Sequence, residues 1–282
     1  MPTLQSEKVY EAAFKATYDL LSGGSAELLD PAITLKFPVG SAAYRYSSKT
    51  ISDGGEANGR KVWRRLSGDV DNRWNGLDPK GGGVTGLYMA LENSGALTTE
   101  FSELVHYQEG EVAKEGEHPS LVEIQKYNTA EKKRVLTSVD NVFFMWLFFT
   151  TKPMVGLNLD MPHGASVSPF MKRIFVKIAG DPALKGMSPE QWYLHDTDAS
   201  FCRGIGNACL SDLRFDFIRV TSARSADLAS KNIIIPWVGG PATDPYPHLT
   251  CAGRSSFFLK ADGTHDAGTT EADKAFNQDL KL

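Results

Sequence analysis

The sequence predicts an α+β fold: a single domain with a central mixed β core and flanking helices, preceded by an N-terminal helix. Three observations carry this. Helical periodicity is strong at one end, in residues 5–22, where Val9, Ala12, Ala13, Ala16, Tyr18, Leu20 and Leu21 recur before Gly23-Gly24. Most later apolar runs are short and bounded by glycine, proline or polar loops, as strands are. No segment repeats at a period of about 20–50 residues, which excludes solenoids and propellers.

Taken in order, the helix over 5–22 precedes a short helical stretch at Ser25–Leu29, stopped before Pro31. Thr34–Val39 and Ala42–Ser47 are strand material, and Ser52–Gly59 and Asn75–Gly83 are loops. Gly86–Ala90 reads as a strand, and Ser94 suits the N-cap of a helix over Gly95–Tyr107. Val122–Tyr127, Arg134–Val139 and Val142–Phe149 read as strands. The last of these, VFFMWLFF, falls far short of the roughly 20 residues that span a bilayer. It is short and aromatic, as a buried strand is. Ser168–Ala179 and Pro189–Gly206 are helical in part, and Phe215–Val220, Asn232–Val238 and Ser256–Lys260 are strands. The organisation that follows is an N-terminal helical segment (1–30), a main domain (31–260) with an insertion at about 109–191, and a polar, frayed tail (261–282).

Composition narrows the function. The 282 residues are 41% apolar and 23% charged, enough to bury a core without disulfides. Net charge is −4, which argues against a nucleic-acid partner. An anionic ligand would need a local site, because the overall field does not attract it. Cys202, Cys209 and Cys251 are too few and too widely spaced for a disulfide framework or a zinc site, and read as small buried hydrophobes. The N-terminus has neither a basic nor an apolar leader region. The expectation is a cytoplasmic protein, of the producing cell or of a target cell into which it is delivered, without a membrane partner.

Common catalytic motifs fail. Gly81-Gly82-Gly83 lacks the following Lys-Ser/Thr of a phosphate loop, and Gly204-Ile205-Gly206 lacks the third glycine of a dinucleotide fingerprint. The six histidines (106, 118, 163, 195, 248, 265) show no metal spacing, and no serine sits in a G-x-S-x-G elbow. No metal or bound cofactor is expected.

Several segments do combine polar and aromatic residues inside strand-like contexts. They are Tyr44-Arg45-Tyr46, Asn72-Arg73-Trp74-Asn75, Gly86-Leu87-Tyr88-Met89-Ala90, Ala96-Leu97-Thr98-Thr99-Glu100 and Thr221-Ser222-Ala223-Arg224 leading to Asn232. In this order they resemble the RES family, named for an arginine, a glutamate and a serine. The stretch Asp196–Asn207 is similar to the family's Thr-x-x-x-Gly-Asp segment. The resemblance covers roughly residues 40–240. Asn72 and Thr221 depart from the family's glycine and proline, and Arg64 and Arg65 compete with Arg45 for the arginine position.

The resemblance implies a fold like the diphtheria-toxin-like ADP-ribosyltransferases and a toxin that consumes NAD as substrate. It also implies a neutralising antitoxin or immunity protein, and leaves a homodimer open. The residue types suit the chemistry. Cleaving the nicotinamide–ribose bond develops oxocarbenium charge, which a fixed carboxylate stabilises, and Glu100 is the candidate. Glu103 is its fallback. Arg45, then Arg73, would hold the diphosphate. Tyr88, with Trp74 and Tyr44, offers an aromatic face to the cationic nicotinamide ring. Ser222 and Asn232 would hydrogen-bond ribose or diphosphate oxygens. Each has a plainer reading: a surface charge, a core aromatic, a turn serine. The favoured function is NAD glycohydrolase, with ADP-ribosyl transfer to a protein and a non-enzymatic interaction module as alternatives.

Overall fold

The computed structural model describes residues 4–23, 30–48, 74, 76–77, 83–84, 86–91, 142–160, 167–184, 199–221, 231–236, 248–259, 265–268 and 270–279. They form a mixed α+β structure with two sheets. The helices are α1 (Leu4–Gly23), α2 (Pro169–Ile178), α3 (Ser200–Leu210) and α4 (Glu271–Asp279). The strands are β1 (Thr34–Phe37), β2 (Ala42–Ser48), β3 (Gly76–Leu77), β4 (Gly83–Val84), β5 (Gly86–Leu91), β6 (Val142–Thr150), β7 (Met154–Asn158), β8 (Phe217–Thr221), β9 (Lys231–Pro236), β10 (Leu249–Leu259) and β11 (His265–Gly268).

Nine strands make one sheet in the order β1-β7-β8-β9-β5-β2-β6-β10-β11, with β3 and β4 paired separately. Only β7 and β8 pair in parallel; every other described pair is antiparallel. Period-two alternation sorts the side chains onto two faces. Ile218, Val220, Ile234 and Leu157 join Val9, Ala13, Phe170, Ile174, Phe201 and Ile205 of the helices in one core. Phe217, Ile233, Ile235, Leu87, Met89, Trp146 and Phe148 form a second core on the opposite face. This explains why β9 reads as an unbroken apolar run: Ile234 enters one core and Ile233 and Ile235 the other, so both of its faces are covered.

Helix α1 is part of the first core, packed chiefly on α3. The close approach uses the Gly204-Ile205-Gly206 triplet. A Cβ on Gly204 would lie 2.6 Å from the Tyr10 carbonyl oxygen, and one on Gly206 would lie 1.7 Å from that of Trp74. Mid-helix glycine costs roughly 1 kcal/mol relative to alanine, and here both positions need the missing Cβ. Helix α2 begins at Pro169, and its Ser168 N-cap accepts a hydrogen bond from the Met171 amide.

Several elements were not legible as periodic runs. Strand β7 follows a Thr-Thr-Lys-Pro turn and contains Gly156, whose absent Cβ leaves room for the Phe217 ring. Strand β10 starts at Leu249, well before the predicted Ser256. Within the polar tail, β11 pairs with β10 and α4 packs on β10. The stretch 109–191, read as an insertion, supplies β6, β7 and α2 to the sheet and its helical layer. The expected helices at 25–29 and 95–107 and the strands at 122–127 and 134–139 lie outside the described residues.

Candidate functional site

The register brings four motif segments to one end of the sheet. Ala43 of β2 pairs with Leu91 of β5, and Tyr44 pairs with Ala90. Ala90 also pairs with Asn232 of β9, and Thr221 of β8 pairs with Lys231 of β9. The end of β5, the end of β8 and the starts of β2 and β9 therefore adjoin. In the sequence Ser222 directly follows the last residue of β8, and Glu100 lies nine positions after Leu91, the last residue of β5. Glu100, Ser222 and Arg73, with Arg64, Arg65 and Glu103, lie outside the described residues.

The described candidates divide between the two faces. Tyr44, Tyr88 and Asn232 occupy the helix-covered face in register with Ile234 and Val220, while Arg45 shares the other face with Ala43. Arg45 Nη1 donates to the Tyr88 carbonyl oxygen at 2.9 Å. The β2–β5 ladder has just two described residue pairs, so beyond Tyr44 the guanidinium serves a carbonyl that a strand amide would otherwise serve. Tyr88 is half-buried against the helical core. Trp74, Tyr44 and Asn232 are 1%, 5% and 0% exposed, which makes them core positions in this arrangement. Asn207 shows how the helical side is knitted: its Nδ2 donates to the Tyr10 hydroxyl at 3.0 Å, and its Oδ1 accepts from the Val84 amide at 3.3 Å.

A charged cluster that no sequence spacing signalled sits at the same end. Asp160 follows β7, Arg219 and Thr221 lie on β8, and Lys231 opens β9. Arg219 Nη2 donates to Asp160 Oδ2 at 2.5 Å, and Lys231 Nζ approaches the same oxygen at 3.6 Å. Lys231 Nζ also donates to Thr221 Oγ1 at 3.1 Å. The three charged side chains are only 10–23% exposed. Burial lowers the Lys231 pKa below its usual value; Arg219 adds to this and Asp160 opposes it. Asp160 lies 59 positions before Arg219 and reaches the β8 and β9 residues only through the β7-β8-β9 order.

A second ion pair lies near the far edge. Arg254 Nε donates to Asp273 Oδ1 at 2.8 Å. Oδ2 of Asp273 accepts from the amide and hydroxyl of Ser256 and the amide and hydroxyl of Thr270. The Asp273 amide donates back to Thr270 Oγ1 at 3.1 Å, which makes Thr270–Asp273 a capping box for α4. Asn277 clamps the amide and carbonyl of Arg254. Burial would raise the Asp273 carboxyl, but the Ser256 and Thr270 hydrogen bonds and the Arg254 charge outweigh it and hold the group below the usual range. The Thr270-Glu-Ala-Asp273 pattern was the sequence signal for this helix start.

All three cysteines are free and buried. Burial pushes the Cys209 thiol up strongly and that of Cys251 to about 11, so neither is poised as a nucleophile. Among the described residues no three His, Cys, Asp or Glu gather as metal ligands, and no helix is long and apolar enough to cross a membrane. No protein-family model, curated protein or solved structure matches the chain.

Proposed function

We propose that this chain is an RES-like enzyme that hydrolyses the nicotinamide–ribose bond of NAD. The supporting observation is the meeting of the β2, β5, β8 and β9 motif segments at one sheet end, although they are scattered through the sequence. Strands β5 and β8 end there, at Leu91 and Thr221, ahead of Glu100 and Ser222 in the sequence, and Arg45 follows Tyr44 in β2. On this reading the fold is a variant of the ADP-ribosyltransferase-like architecture.

In the reaction the C–N bond to nicotinamide breaks, and the leaving ring takes the bonding pair. Water adds to the ribose carbon and loses a proton, giving nicotinamide and ADP-ribose. Glu100 stabilises the cationic sugar and orients the water. Tyr88 is the aromatic candidate for the nicotinamide on the helix-covered face; Arg45, on the other face and bonded to the Tyr88 carbonyl, is the arginine candidate for a phosphate reaching around the strand end. Ser222 hydrogen-bonds a ribose or phosphate oxygen. A cell producing such an enzyme needs a neutralising partner, an antitoxin or immunity protein.

Purified full-length chain incubated with NAD should release nicotinamide and ADP-ribose in equal amounts. Glu100→Ala should slow release by about 10²–10³-fold, the cost of losing one preorganised charge-stabilising group. Intact NAD after incubation with folded protein sinks the proposal. Radiolabel retained on a protein band, with little free ADP-ribose, would redirect it to ADP-ribosyl transfer.

A further inference from the structure

We propose that Arg219 and Lys231, with Thr221 beside them, form an anion subsite that takes a diphosphate. The diphosphate's identity as that of NAD rests on the functional reading above; the existence of the subsite does not. Both cationic heads converge on one carboxylate oxygen, at 2.5 Å from Arg219 and 3.6 Å from Lys231. Among the described residues, two positive charges and one negative leave a net charge of +1 on side chains that are less than a quarter exposed. An excess charge with little water around it is unfavourable unless compensated. Only one oxygen of Asp160 is engaged: Oδ1 is buried with no hydrogen-bond partner among the described residues, and the same holds for Arg219 Nε. The network thus leaves one guanidinium donor, Arg219 Nε, without an acceptor, and its charge is one positive in excess among the described residues.

A diphosphate supplies the missing negative charge and an acceptor for Arg219 Nε. Its oxygens suit the planar guanidinium fork and the compact ammonium together, as surface carboxylates held by single lysines do not. The position agrees, since the cluster lies at the sheet end where Leu91, Thr221 and Lys231 adjoin. Lys231 and Arg219 lie two and three strands from Arg45, about 10 and 14 Å across the sheet, so the subsite is separate from Arg45, which the resemblance points to, with Arg73, for the phosphates.

The test is calorimetric titration of the full chain with inorganic pyrophosphate, with orthophosphate as the weaker comparison. Wild type should bind pyrophosphate. Lys231→Met should bind it at least about tenfold more weakly, the loss expected for one charge-assisted contact. Lys15→Met, which alters an exposed lysine of α1, should leave binding unchanged. Equal losses in both variants, or no binding by wild type, overturn the subsite. Lys231→Met should also raise KM for NAD and leave kcat in place. Pyrophosphate binding that depends on Lys231, with NAD left intact, keeps the subsite and removes the NAD reading. NAD cleavage with KM and pyrophosphate affinity unchanged in Lys231→Met does the reverse. Thermal melts of each variant, and Lys231→Arg as the conservative replacement expected to restore binding, separate misfolding from lost recognition.

Discussion

Two aspartates of this protein each meet an arginine on the same sheet, and they do so in opposite ways. Asp273, against β10, has both oxygens engaged, one cation and four further hydrogen bonds from Ser256 and Thr270. Asp160, at the end of β7, has two cations on one oxygen and no donor on the other among the described residues. The first network is closed and serves the fold by seating α4. The second carries surplus positive charge among the described residues and leaves Arg219 Nε without an acceptor. Satisfied burial marks a structural device, and imbalance at a strand end marks a place where a ligand belongs.

The difference can be broken or sharpened by substitution. Asp273→Ala has the largest expected effect, about 3–5 kcal/mol of lost stability, because Arg254, Ser256 and Thr270 lose their common acceptor. Denaturant unfolding checks it, and a change under 1 kcal/mol would mean that α4 is merely resting on β10. Asp160→Asn should cost less, about 2–3 kcal/mol, since Arg219 and Lys231 keep some solvent when left facing each other. The same variant should bind pyrophosphate more tightly, because a competing carboxylate charge is gone. Lys231→Met should change stability by less than about 1 kcal/mol in either direction, as apolar replacement of a buried charge often does. Combined with Asp160→Asn it should recover part of the loss, a coupling that a double-mutant cycle reads directly.

The two clusters also titrate in opposite windows. Asp273 has a folded pKa below its ordinary 3.8, so its stabilisation is full above that value and is lost as pH falls through the folded one. Lys231 has a folded pKa below its ordinary 10.5, so the unfolded chain binds more protons between the two values and stability rises with pH there. Asp273→Asn should therefore flatten the acid limb of a stability–pH profile, and Lys231→Met the smaller alkaline rise. No change in either limb would mean that these groups are not the ones titrating.

Local chemistry made part of the fold readable. Helix α1 announced itself by its period and its terminal glycines, and β6 by an apolar run too short for a membrane. Strands β5, β8 and β9 lay close to their predicted spans. Strand β7 was hidden because Gly156 breaks its apolar pattern for the sake of the Phe217 ring, a demand set by a residue 61 positions away. Helix α4 was hidden because its sequence is polar and its stability comes from a cap and a tertiary clip. The motif segments named the strands that meet, but not their faces: only the register separates Arg45 from the Tyr88 ring. The Asp160 cluster could not be read in one dimension, since the strand order alone assembles it.

The central claim is NAD cleavage, and the most direct measurement is the NAD content of cells expressing the chain. Wild type should empty the NAD pool soon after induction, while Glu100→Ala, expressed to the same level, should leave it intact. An undiminished pool with abundant folded wild-type protein, or equal depletion by Glu100→Ala, would contradict the account.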